Sequence, residues 1–172
     1  MNRFFYLAAI FCLFSCSKNP IIIPEFETST EQYMYARSIQ ERMLIDMPRG
    51  SEKRRYNRVL VKAYQNVTDR FPEDLKVTPL ALVNIADVKF REGSYNEAGE
   101  IYETALKRYP DQDDIQCKAL LGAARSYDRL EEYQKALDYY RQCYERFEND
   151  KRPPLSIMGR EARYYYSMIR FK

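Results

Sequence analysis

Apolar and polar residues follow a helical spacing along most of the chain from residue 29 onward. Apolar side chains recur every three or four residues, in runs that end at proline, glycine or polar turn residues. This spacing is typical of amphipathic helices, and no window shows the two-residue alternation of a strand. The pattern predicts an all-α chain built of short antiparallel helical hairpins.

Capping and breaking residues predict where the helices begin and end. The first helix is expected to start at a capping box formed by residues 29–32 and to end near Asp46, ahead of Pro48. Thr78 followed by Pro79 suggests an N-cap with proline at the first helical position, and Ser94 opens a second capping box. The remaining helices are expected over about 51–71, 78–93, 94–109, 113–130, 131–147 and 155–170.

Three similar segments recur in the chain at a constant interval. YQNVTDRFP, YETALKRYP and YRQCYERFE begin at Tyr64, Tyr102 and Tyr140, which are 38 residues apart. Small residues at fixed places let two helices approach, and a large aromatic residue fills the space beside them. Three further sets keep the same register: Ala86, Ala124 and Ala162; Leu82, Leu120 and Met158; Tyr127 and Tyr165.

This pattern resembles the tetratricopeptide repeat. GSYNEAGEIYETALKRYP and EEYQKALDYYRQCYERF carry the resemblance best, although about four residues more than the usual repeat fall between units. The resemblance covers roughly residues 30–170. It implies a helical-hairpin solenoid of about three units with a C-terminal capping helix, in a domain that spans residues 29–172.

The N-terminus carries an apolar run over residues 4–14. It is too short to cross a bilayer but has the length of a signal-peptide core. Leu13-Phe14-Ser15-Cys16 resembles the lipobox of bacterial lipoproteins. That resemblance implies a signal peptide over residues 1–15, acyl chains such as palmitate on Cys16 and cleavage before this cysteine. A plain secretory signal and a buried apolar N-terminus are the alternatives.

The segment after the lipobox, residues 16–28, is expected to be an extended tether. Pro20 and Pro24 bracket three isoleucines and disfavour a helix. The isoleucines are expected to pack against the first helix of the domain. Ser17 stands where an aspartate would retain a lipoprotein in the inner membrane. The resemblance therefore favours a lipid anchor in the outer membrane, facing the periplasm.

Composition narrows the chemistry that the chain can carry out. The formal net charge is only +3, which does not indicate a nucleic-acid-binding protein. Histidine is absent, which excludes Ser-His and Cys-His nucleophile pairs and histidine metal sites. Carboxylates lie at helix-surface spacing beside lysines and arginines, as in solvated helices. We expect a protein that is not an enzyme and binds no cofactor and no metal.

Two cysteines remain in the domain after Cys16. Cys117 and Cys143 stand where a helix would bury a small residue, and free cysteines are often buried. We expect two buried thiols. The alternative is a disulfide, which an oxidising periplasm would permit.

The tyrosines of the repeats are expected to lie mainly in the core. Tyr164 and Tyr166 flank Tyr165 on one helix, so the three cannot all face inward and one of the flanking pair should be exposed. The six expected core positions are Tyr95, Tyr102, Tyr127, Tyr133, Tyr140 and Tyr165.

The tetratricopeptide resemblance also implies a partner-binding groove, because the first helix of each hairpin lines the concave face in that fold. Arginine forks bind carboxylates and aromatic side chains supply anchor area, so an acidic peptide or helix would fit. Alternatively, the arginines pair with neighbouring acids and bind nothing. The groove positions, taken at the repeat period, are Val83, Leu121 and Gly159; Asp87, Arg125 and Arg163; Phe90, Asp128 and Tyr166; Arg91 and Arg129.

A lipidated cysteine, a short tether and long-period repeats that end in Arg-aromatic-Pro together resemble the BamD-type lipoproteins of the outer-membrane β-barrel assembly machine. This chain is shorter than that family. The resemblance implies a membrane-anchored periplasmic adaptor or scaffold for envelope proteins. The alternative is an accessory lipoprotein that binds a ligand or subunit of a transporter, the Tol–Pal system or a type IV pilus.

The lipobox prediction can be tested by labelling cells with a clickable fatty acid. We expect label on the wild-type chain and on a Cys12→Ala variant, because Cys12 leaves with the signal peptide. A Cys16→Ala variant should carry no label. An unlabelled wild-type chain would contradict the prediction.

Overall fold

A computed structural model describes residues 22–170, so the predicted signal peptide and Cys16 lie outside the described residues. No strand occurs in this stretch, and the all-α fold class predicted from the sequence is confirmed. None of the helices between residues 22 and 170 is long and apolar enough to cross a membrane. The helices are α1 (Ser29–Asp46), α2 (Gly50–Arg70), α3 (Thr78–Glu92), α4 (Tyr95–Arg108), α5 (Asp113–Arg129), α6 (Tyr133–Phe147) and α7 (Pro153–Ile169).

The described residues divide into two compact units, residues 22–81 and 82–170. In the first unit α1 packs against α2 as a hairpin. Tyr35 and Ile39 of α1 and Leu60 and Tyr64 of α2 are buried. The Tyr64 hydroxyl donates a 2.6 Å hydrogen bond to Oε1 of Gln40, which links the two helices.

Residues 22–28 precede α1 without regular structure, as expected for a tether. Gln32, fully buried, holds this segment: its side-chain amide donates to the Pro24 carbonyl oxygen at 3.1 Å and accepts from the Phe26 N–H at 3.0 Å. The Phe26 ring lies 5.4 Å from that of Tyr35. The expected packing of the isoleucines is wrong for Ile22, which is 73% exposed, because the chain docks on α1 only further along.

The predicted helix bounds are right to within about two residues, but three caps differ. Thr28, not Ser29, caps α1, and its side-chain oxygen accepts from the Glu31 N–H at 3.2 Å. The side-chain cap of α1 is therefore one residue earlier than predicted. Ser94 occupies the N-cap of α4 but makes no side-chain capping bond. Thr78 is the first residue of α3, and its hydroxyl donates to the Phe71 carbonyl oxygen at 2.6 Å.

The second unit contains α4 to α7 and most of α3, and its consecutive helices α4 to α7 pack on one another. Tyr102 of α4 packs on the α5 backbone, where a Cβ added at Gly122 would lie 2.3 Å from the ring. Its hydroxyl donates a hydrogen bond to Asp87. Gly122 thus allows the close approach that seats a buried tyrosine. The repeat alanines, Ala86, Ala124 and Ala162, are fully buried, and Tyr64, Tyr102 and Tyr140 are buried in the predicted register.

The six tyrosines assigned to the core divide into two groups. Tyr102, Tyr127 and Tyr140 are buried, as predicted. The prediction is wrong for the other three: Tyr95, Tyr133 and Tyr165 are only half-buried. The expectation that one tyrosine beside Tyr165 is exposed is confirmed, since Tyr164 is 58% exposed.

The two cysteines of the second unit are buried free thiols, which confirms the preferred prediction over a disulfide. Sγ of Cys143 lies 3.8 Å from the Cys117 carbonyl oxygen, and Sγ of Cys117 lies 3.8 Å from that of Leu155. Both thiols thus donate weakly to backbone carbonyls of the packed helices.

Glu103 of α4 joins three helices of the second unit. It accepts hydrogen bonds from the hydroxyls of Tyr127 and Tyr139 at 2.8 Å each and pairs with Nζ of Lys135 at 2.8 Å. Partial burial acts to raise the pKa of Glu103, but the hydrogen bonds from Lys135, Tyr127 and Tyr139 outweigh it. The pKa is therefore lower than its ordinary value of 4.5. The ionised carboxylate stabilises the packing of α4, α5 and α6.

Glu103 should make the stability of this unit depend on pH. A lowered folded-state pKa gives stability that is present above the unfolded-state pKa and is lost as pH falls through the folded-state value. We expect Glu103→Gln to lower the free energy of unfolding by about 1–3 kcal/mol at neutral pH. The difference from wild type should shrink once pH drops below about 4.5.

Urea unfolding of both chains between pH 7 and pH 3 measures this difference. Glu145→Gln is the matched control, because Glu145 is exposed on α6. A difference between wild type and Glu103→Gln that stays constant with pH would contradict the role of the carboxylate.

Candidate binding cleft

The second unit contains an open cleft of about 430 Å³. It lies among the end of α3, the end of α5, the α5–α6 turn, α6 and α7. Aromatic rings and charged side chains line it in similar numbers. The lining residues of this tyrosine cleft are Phe90, Arg125, Asp128, Arg129, Glu131, Tyr133, Tyr140 and Tyr165.

The cleft arises where two equivalent repeat positions differ. Tyr102 donates its hydroxyl to Asp87, whereas Tyr140, one repeat later, has Arg125 at the position equivalent to Asp87. A guanidinium has only donors and cannot accept from a tyrosine. Arg125 instead pairs with Glu161, and its Cζ lies 5.9 Å from the centre of the Tyr165 ring. The local packing seen around Tyr102 is therefore not repeated around Tyr140.

Tyr140 forms the inner part of the cleft. Its ring stacks on that of Tyr165 at 5.8 Å. Burial raises the pKa of Tyr140 above its ordinary value, so the hydroxyl is protonated at neutral pH and is a donor. Within residues 22–170 this hydroxyl has no hydrogen-bond partner, in contrast to that of Tyr102. It can donate to an acceptor that enters the cleft.

Glu131 lies on the rim of the cleft in a left-handed conformation, with φ of 62°. One repeat earlier the same place is held by Gly93, with φ of 84°. Both turns close with the same backbone bonds: Ser94 N–H to the Lys89 carbonyl oxygen at 3.0 Å, and Glu132 N–H to that of Tyr127 at 2.9 Å. Glycine suits this turn, so a glutamate here stores strain beside the cleft.

Charge in the cleft is balanced between two arginines and two acids. Arg125 is held by Glu161, but Arg129 is exposed and makes no ion pair with any described residue. Its guanidinium can bind a carboxylate with two parallel hydrogen bonds. Arg129 is therefore the cation of the cleft that is best placed to bind a partner.

Only some of the predicted groove residues line the cleft. Phe90, Arg125, Asp128 and Arg129 line the cleft. Val83, Leu121 and Gly159 are buried; a Cβ added at Gly159 would lie 2.4 Å from the Glu148 backbone nitrogen, so this row faces packed helices.

The other four predicted residues do not line the cleft. Arg163 pairs with Glu148 at 2.9 Å, and the Tyr166 ring lies 5.3 Å from that of Tyr144, so both pack on the end of α6. Asp87 is held by Tyr102, and Arg91 is exposed.

Four lining residues were not predicted as groove residues. The repeat positions of Tyr133, Tyr140 and Tyr165 predict core residues, since periodicity does not distinguish a buried ring from one whose edge reaches a cleft. The sequence does contain a signal for Glu131: it stands 38 residues after Gly93, so a glutamate replaces the turn glycine of the preceding unit.

Helical hairpins, buried repeat tyrosines and two equivalent turns define a repeat architecture. Residues 77–149 match the family model of the tetratricopeptide repeat. The match covers α3 to α6 and supports a tetratricopeptide-repeat protein of the all-α, helical-hairpin solenoid class. No curated protein sequence matches the chain. Tetratricopeptide repeats generally bind protein partners and are typically non-enzymatic scaffolds, so the repeats suggest a protein-interaction scaffold.

The strain at Glu131 gives a reciprocal stability test. Glu131→Gly should raise the free energy of unfolding by about 1 kcal/mol, because it removes the cost of a left-handed non-glycine residue. Gly93→Glu should lower it by about the same amount at the equivalent turn. Urea unfolding followed by circular dichroism measures both changes. Shifts of the same sign in the two variants would show that the turns are not equivalent.

Proposed function

We propose that this protein is a membrane-anchored periplasmic adaptor that binds a segment of a partner protein in the tyrosine cleft. The cleft carries the proposal: it exposes aromatic surface, an arginine without an ion pair among the described residues and a protonated hydroxyl without a hydrogen-bond partner there. Its volume of about 430 Å³ suits a few side chains of a peptide rather than a folded domain. The partner is therefore an extended or helical segment.

The chemistry of the cleft defines what this segment contains. Tyr133, Tyr165 and Phe90 offer flat, partly exposed rings against which an apolar or aromatic side chain can pack. Arg129 can bind a carboxylate, and Tyr140 can donate to a backbone carbonyl. Because the cleft as a whole is charge-balanced, a single acidic residue beside an apolar one fits better than an acidic run.

The proposed setting is the periplasmic face of the outer membrane, with the chain held there by acyl chains on Cys16. The lipobox resemblance supports this anchor, and several acyl chains hold a protein stably where one does not. The combination of anchor, tether and long-period repeats supports outer-membrane β-barrel assembly as the system that the adaptor serves.

Affinity capture of tagged chains from mildly crosslinked, detergent-solubilised envelopes tests the proposal. Wild type should recover the β-barrel assembly protein. Arg129→Glu should reduce recovery about tenfold or more, as truncation of a central interface residue typically costs about 2 kcal/mol. Lys107→Glu makes the same charge change at an exposed position of α4 outside the cleft, and should recover as much as wild type.

The outcomes separate the two parts of the proposal. Equal recovery by Arg129→Glu and Lys107→Glu would exclude the cleft as the binding site. Recovery of pilus, Tol–Pal or transporter components, with loss in Arg129→Glu, would keep the adaptor and reject β-barrel assembly.

A further inference from the structure

The turn that joins α1 to α2 presents large apolar side chains to solvent. Leu44, Ile45 and Met47 are 65%, 77% and 76% exposed. Isolated exposed apolar residues are ordinary, but three within four positions at the end of a hairpin form a protruding patch. We call these three residues the apolar tip.

Basic residues follow the apolar tip directly. Arg49, Lys53, Arg54 and Arg58 are exposed and make no ion pair with any residue in the described part of the chain. Arg49 is in the turn, and the other three lie within the first three turns of α2. We call these four residues the basic collar.

Acidic residues cancel little of this charge. Asp46 is held by Nε of Arg42 at 2.9 Å and by the hydroxyl of Tyr56 at 2.5 Å. Glu52 is the one acidic residue in the first turn of α2. The end of the first hairpin is therefore both apolar and positively charged.

Helix stability does not explain these residue choices. Cations at a helix N-terminus oppose the helix dipole, yet Arg49 and Lys53 of the basic collar lie at the start of α2. Arg49 occupies the N-cap, and its side chain makes no capping bond. Met47 has a left-handed backbone with φ of 45°, where glycine or asparagine is preferred. Three unfavourable local choices in one turn indicate a surface kept for binding.

We propose that the apolar tip inserts into the headgroup region of an anionic phospholipid membrane, with the basic collar on the lipid phosphates. Apolar side chains that project beside a cluster of cations match a membrane surface, which offers hydrocarbon below a plane of negative charge. Electrostatic attraction and apolar burial then act on the same short turn. This contact needs no feature of the tyrosine cleft.

The contact is compatible with an acyl anchor on Cys16. Helix α1 has 18 residues and is therefore about 27 Å long. Pro24 is hydrogen-bonded to Gln32 in the first turn of α1, so less than the full helix length separates Pro24 from the apolar tip. The eight chain steps from Pro24 back to Cys16 can span up to about 26 Å. The anchor and the apolar tip can thus reach one membrane although they connect to opposite ends of α1.

The chain contains no tryptophan, so one introduced tryptophan is a specific reporter. The full chain with Ile45→Trp is mixed with vesicles of equal parts phosphatidylethanolamine and phosphatidylglycerol. We expect a blue shift of its emission and quenching by lipids brominated on the acyl chains. Tyr164→Trp, at an exposed position of α7, is the matched control and should show neither.

The basic collar is tested in the Ile45→Trp background. Replacing Arg49, Lys53 and Arg54 with alanine should weaken tip insertion about fivefold for each cation removed, and high salt should weaken it as well. Vesicles of phosphatidylcholine alone should give little blue shift.

Four results would overturn the proposal. The Ile45→Trp chain could show no blue shift with anionic vesicles. The Tyr164→Trp control could show an equal blue shift. The variant without Arg49, Lys53 and Arg54 could show the same blue shift as its Ile45→Trp parent. A reporter shift that requires an envelope protein, and not lipid, would assign the tip to a protein partner and would also overturn it.

Discussion

The close approach of neighbouring helices at small residues is the constraint on which the rest of the structure depends. Ala86, Ala124 and Ala162 have no exposed surface, and Gly122 lets the Tyr102 ring pack directly on a helix backbone. Interiors packed at this density tolerate little change in side-chain volume. The constraint therefore fixes the 38-residue register, and it leaves the positions around the packed tyrosines free to differ between units.

Differences at those free positions generate the cleft. In one unit, Asp87 accepts a hydrogen bond from the Tyr102 hydroxyl. In the next unit, Arg125 occupies the equivalent position and pairs with Glu161. The Tyr140 hydroxyl is therefore left without an acceptor among the described residues. The turn that Gly93 makes without strain is made by Glu131 with strain. A regular scaffold thus acquires a distinct cleft through two differences between its repeat units.

The sequence predicted the fold better than the cleft, for a physical reason. Helix ends and the tyrosine register follow from local capping and packing rules, so they could be derived directly. The groove prediction assumed that every first helix presents the same row of residues. That assumption holds for Arg125 but not for Arg163, because α7 lies on the end of α6 and its side chains pair with Glu148 and Tyr144. Periodicity also placed Tyr133 and Tyr165 in the core, since it cannot show which rings lack a covering neighbour.

The two non-glycine residues with left-handed backbones in the described chain mark its two candidate surfaces. Met47 belongs to the apolar tip of the first unit, and Glu131 borders the cleft of the second. Each takes a conformation that glycine would adopt at less cost, and each directs a chemically distinctive side chain outward. Sequences that fold well agree with local rules almost everywhere, so these two strained turns among residues 22–170 support the two proposed binding surfaces. Because the two strained turns lie in separate compact units, substitutions can test the proposed membrane contact and the proposed protein contact separately.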